Sequence, residues 1–87
     1  MFNKIQELID GNNLLLTEAY IKISEKMNRN ENNSELKEIA ALLKINEIIL
    51  MELKDKQFFN NEKNILKSLQ NMKKSIISAI IELDNRY

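Results

Sequence analysis

The chain predicts an all-α protein, an antiparallel up-down-up bundle of three helices. Three observations carry that expectation. The 87 residues include no Pro and one Gly, so almost nothing in the chain breaks a helix. Leu, Ile, Lys, Glu and Met supply much of the bulk, and all but the β-branched Ile are good helix formers. Apolar residues recur at steps of three and four through three long segments. The rival architecture is a helical hairpin whose long second helix dimerises into a bundle.

The first helix is expected over roughly residues 2–28. Phe2, Ile5, Leu8, Ile9, Leu15, Leu16, Ala19, Tyr20, Ile23 and Met27 fall on one broad face. Asp10-Gly11-Asn12-Asn13 reads locally as a turn. The apolar positions on either side of it keep the same phase, which a true turn has no reason to preserve. One helix, weakened or bent at Gly11 by about 1 kcal/mol, is therefore expected. A short helix, a turn and a new helix from Leu14 is the alternative. The polar run from Asn28 to Asn33 is the first loop.

Ser34 is the expected cap of a second helix over roughly residues 35–57. Glu35 and Glu38 suit the positive end of its dipole. Leu36, Ile39, Leu43, Asn46, Leu50 and Leu53 form a heptad-like seam, with Leu42 and Ile49 widening it on one flank. Asn46 reads as a register-fixing polar residue that finds a partner. Ile45 and Ile48 lie on the opposite side. The stretch Leu42–Leu53 is thus apolar almost all round, the pattern of a helix covered on several sides.

Phe58-Phe59-Asn60-Asn61 is expected to break the chain, although a continuous helix from Glu35 to Arg86 is also compatible with the pattern. Asn60 or Asn61 can cap a third helix over roughly residues 62–85. Its main face is Ile65, Leu69, Met72, Ile76, Ala79, Ile80, Leu83 and Tyr87. Leu66, Ile77 and Ile81 extend that face to one side. Lys63, Lys67 and Lys74 lie outside it as a solvated row. Helices of about 24 to 27 residues joined by short loops favour antiparallel neighbours in one domain, residues 1–87.

Composition then restricts function. The chain has no His and no Cys, so imidazole and thiolate chemistry, disulfides and the Glu-x-x-His di-metal pattern are excluded. Thr17 and Ser24, Ser34, Ser68, Ser75 and Ser78 have no His to activate them. Ser75 follows Lys73-Lys74, yet no pocket that would desolvate a lysine is evident. Gly11 alone cannot make a phosphate-cradling loop. The expectation is a non-enzyme that uses no cofactor, metal or small-molecule substrate.

The net charge is +0, from 13 basic and 13 acidic residues, and only Arg29 and Arg86 are arginines. Nucleic-acid binding wants a basic surplus and is disfavoured, though Phe58 and Phe59 among Lys54, Lys56, Lys63 and Lys67 could stack bases. The longest apolar runs are far shorter than the roughly 20 residues of a membrane span. The N-terminal residues lack a secretory apolar region. Both facts predict a cytoplasmic protein that does not enter membranes.

Protein binding has positive support. Leu14 and Ile21 lie off the main face of the first helix, among Glu7, Glu18 and Glu25. Ile45 and Ile48 give the second helix a further apolar surface, as Leu66, Ile77 and Ile81 do for the third. A bundle this small cannot bury all of these. The expected anchors are Leu14, Ile21, Ile45, Ile48, Ile77, Ile81 and the Phe58-Phe59 pair, with another chain as partner and self-association as the simplest form.

Flagellar and type III export chaperones are similar in size, charge and Leu-rich seams. The resemblance is one of architecture without a shared motif, and it implies an alternative role as chaperone or adaptor for a helical client. Secreted WXG100-type hairpins are similar in size but turn on a Trp-x-Gly motif, and this chain has no Trp. A small phage or mobile-element inhibitor of a host protein is a further alternative, suggested by size, composition and the lack of catalytic parts.

Overall fold

Helix α1 (Phe2–Arg29) runs unbroken through Asp10-Gly11-Asn12-Asn13. The structure, a computed structural model, describes residues 2–29, 33–56 and 62–86. Gly11 does not adopt a positive φ, so the helix-turn-helix alternative fails. The preserved apolar phase outweighs the local turn composition, because packing an amphipathic face stabilises a helix more than propensity does.

Helix α2 (Ser34–Lys56) starts one residue earlier than the capping pattern suggests. Asn33 is the cap, in place of Ser34. Its Oδ1 accepts the Leu36 N–H at 3.1 Å, and its carbonyl accepts the Lys37 N–H at 3.2 Å. Asn and Ser cap equally well, so composition alone does not choose between neighbours. Helix α3 (Glu62–Arg86) carries Glu62 in its first turn and Arg86 in its last, both matched to the helix dipole.

The three helices lie side by side. The long axis of the molecule is 43 Å, and a helix of 28 residues such as α1 is about 42 Å long. A continuous helix from Glu35 to Arg86 would span about 78 Å, so that arrangement does not occur. Contacts give the directions. Asn12 meets Leu69 and Lys22 meets Asp84, so α1 and α3 run parallel. Arg86 at the end of α3 pairs with Glu35 at the start of α2, so those two are antiparallel. The result is the up-down-up three-helix bundle.

Ile5, Ile9, Leu16, Ala19 and Ile23 of α1, Leu36, Ile39, Leu43 and Leu50 of α2, and Ile65, Leu69, Met72, Ile76, Ala79, Ile80 and Leu83 of α3 form one core. Leu8, Leu15, Tyr20, Met27, Leu53 and Leu66 pack around it half-buried. Leu66 therefore belongs to the core margin and is not part of a spare surface. Contact is shared unequally. α1 and α3 pack most extensively, α1 and α2 less, and α2 and α3 least.

Among the described residues, two amides enter this interior. Asn12 is buried, and its Nδ2 donates to the Leu69 carbonyl of α3 at 3.0 Å, while its Oδ1 has no partner. Asn46 is buried too, but its Nδ2 donates to the Leu42 carbonyl of its own helix. The interhelical tie expected of Asn46 is thus made by Asn12. The amide at Asn46 finds its partner one turn back, a bond that holds no neighbouring helix.

Candidate protein-interaction surface

The apolar surplus of α2 faces outward. Leu42, Ile45, Ile48, Ile49 and Met51 are all exposed, Met51 at 62%. Leu42, Ile45 and Ile49 follow one another at steps of three and four, so they form a second seam beside the buried one. Ile48 lies a turn from Ile45 and widens it. Leu42 and Ile49 were expected to broaden the core stripe, and they do not: they are 41% and 40% exposed. The reason lies on the neighbouring helix. The flank of α3 beside Ile49 presents Ser68, Asn71 and Ser75, and the flank beside Leu42 presents Glu82 and Arg86. Polar side chains leave open grooves there where apolar ones would close against α2.

On α1, Leu14 is 73% exposed and Ile21 is exposed as well. They share an open groove with Thr17, Glu18, Lys22 and Glu25. On α3, Ile81 is exposed and Ile77 less so, at 36%. Ile77 lines a groove with Leu8, Gln70, Lys4, Lys73 and Lys74. Phe58 and Phe59 lie outside the described residues. The described anchors do not converge on one spot. Those of α1 and α2 each stand on the outer side of their own helix, Ile77 of α3 borders the groove against α1, and Ile81 is exposed on α3.

Several charges near these faces are committed within the bundle. Lys22 Nζ sits 2.9 Å from Asp84 Oδ1, and that carboxylate raises the proton affinity of the ammonium above its ordinary value. Arg86 bridges Glu82 at 2.8 Å and Glu35 at 3.1 Å. Lys44 meets Glu47 at 2.9 Å along α2 and holds the Glu47 carboxyl below its usual range, with the Tyr20 hydroxyl helping. Such exposed pairs are weak, being screened by solvent, and set orientation more than stability.

Tyr20 is the one phenol inside the described residues. Burial, followed by the nearby Glu47 carboxylate, pushes its pKa up to about 12. Its buried hydroxyl faces Glu47 without reaching hydrogen-bond geometry.

Among the described residues no cluster of acidic side chains could hold a metal ion, and no helix is long and apolar enough to cross a membrane. The grooves are open surfaces lined by one or two helices and bring no set of reactive groups together. The chain matches no family model, and no similar curated protein or solved structure is found.

Proposed function

We propose that this protein works by binding another protein chain through the outer face of α2, with self-association as the simplest case. The observation that carries the reading is the exposed ladder of Leu42, Ile45 and Ile49 with Ile48 beside it. Scattered exposed apolars are ordinary on any surface, but several at helical spacing on one face make a contiguous patch of the kind that marks interaction sites. Recognition would be helix packing, in which these side chains fill the spaces between residues of a facing helix. A chain without His, Cys or a glycine-rich loop suits binding better than catalysis.

Sedimentation velocity over a wide concentration range tests the reading. A concentration-dependent shift to larger species is expected. The double variant Ile45→Lys/Ile48→Lys should associate much more weakly while keeping its helical circular dichroism. A strict monomer at high concentration would sink self-association. Unfolding of the variant would show instead that these residues belong to the core.

A further inference from the structure

The outer faces of α1 and α3 match each other in spacing and oppose each other in charge. On α1, Glu7, Leu14, Glu18, Ile21 and Glu25 follow heptad steps, and all are exposed. On α3, Lys67, Gln70, Lys74, Ile77 and Ile81 follow the same steps, and all are exposed. Each face carries two apolar residues. One frames them with carboxylates, the other with ammonium groups, to which Lys4 and Lys73 add at the groove beside Ile77. The one cation in the α1 groove, Lys22, is held by Asp84.

We propose that the α1 face of one copy docks on the α3 face of another copy of this chain. The inference rests on the reading of the protein as self-associating but uses surfaces distinct from that of α2. Like faces repel, so neither α1 with α1 nor α3 with α3 is favoured, whereas α1 with α3 pairs opposite charges around the two apolar pairs. The contact therefore joins two different patches. A polyanion would satisfy the lysines but leave Ile77 and Ile81 uncovered, and the net charge of +0 provides no long-range pull on one.

Two charge-reversed full chains test this, Glu18→Lys/Glu25→Lys and Lys67→Glu/Lys74→Glu. By sedimentation equilibrium at low salt, each alone should associate about tenfold or more weakly than wild type. Their equimolar mixture should recover wild-type association, because lysine-bearing α1 of one variant meets glutamate-bearing α3 of the other, and the reciprocal contact joins the unchanged acidic α1 to the unchanged basic α3. Either variant assembling as well as wild type overturns the proposal, as does a mixture no stronger than its parts. The Ile45→Lys/Ile48→Lys variant separates the two readings. If it alone abolishes association and charge reversal changes nothing, the α2 reading stands and this one falls. Should a charge-reversed chain fail to fold, salt decides with that α2 variant. Its residual association should vanish as the screening length shrinks from about 10 Å near 0.1 M to about 3 Å near 1 M. No association at low salt, or association indifferent to salt, overturns the contact. Retention of a short DNA duplex that is lost in Lys67→Glu/Lys74→Glu, without self-association, would assign the lysine row to a polyanion and overturn it too.

Discussion

Helices α2 and α3 hold similar apolar loads and deploy them differently. In α3 the large apolar residues from Ile65 to Leu83 are mostly buried, and α1 closes over them. In α2 only Leu36, Ile39, Leu43 and Leu50 are fully buried, while Leu42, Ile45, Ile48, Ile49 and Met51 stay in solvent. Both helices have a seam of the same spacing. What differs is the second seam, which has no counterpart within the chain. An apolar count therefore reports how much surface wants cover, and only the neighbouring helix decides how much receives it.

Substitutions can break or sharpen that contrast. The largest effect is expected at Asn12, where Asn12→Asp would place an unpaired carboxylate in the α1–α3 interior against the Leu69 carbonyl. A loss of about 3–5 kcal/mol in urea unfolding at neutral pH is expected. Burial would raise the folded pKa of that carboxyl, so the lost stability should return as pH falls below its folded value. Asn46→Asp, beside the open groove on α2, should cost clearly less; equal losses would show the two interiors to be alike.

Next in size, Leu69→Ala in α3 should cost about 2–5 kcal/mol, as large-to-small changes in a packed core do. Ile45→Ala in α2, measured on dilute protein, should stay within about 0.5 kcal/mol. A matching loss at Ile45 would place the outer seam of α2 inside the fold.

Gly11→Ala should raise stability by about 1 kcal/mol, visible as a higher Tm. An added Cβ there meets nothing within 4 Å. A drop would mean that α1 needs a glycine for a reason other than propensity.

The smallest effect concerns the junction of α1 with α2. The Tyr20 phenol is ordinarily 10.0 and stands at about 12 in the fold, so the neutral form is favoured on folding. Its contribution is intact below about pH 10 and is lost as pH climbs through about 12. Tyr20→Phe should flatten the alkaline limb of a stability–pH profile, and an unchanged limb would remove Tyr20 from its cause.

Much of this architecture was legible in the order of residues. The phase of the apolar positions located all three helices, and the exposure of Leu14, Ile21, Ile45, Ile48, Ile77 and Ile81 agrees with their place off the main faces. What escaped depended on neighbours distant in sequence. Leu42 and Ile49 sit one step from a buried seam, and the polar flank of α3 leaves them open. Asn12 was masked by turn-like company, and its partner Leu69 lies 57 residues away. A signal was nonetheless present: Ile5, Ile9, Asn12, Leu16, Ala19 and Ile23 form an unbroken ladder of fours and threes, with the amide on one of its rungs.

The unequal packing of the helices has a kinetic consequence. The most extensive interface joins α1 to α3, through ties such as Lys22 to Asp84 across 62 residues. Closing so long a loop carries an entropic cost that a local hairpin avoids. The contact order is accordingly high for a helical protein, which slows the approach to the native state. During synthesis α1 and α2 must wait for α3 with their inner seams uncovered. Over that interval the nascent chain exposes more apolar surface than it ever does once folded.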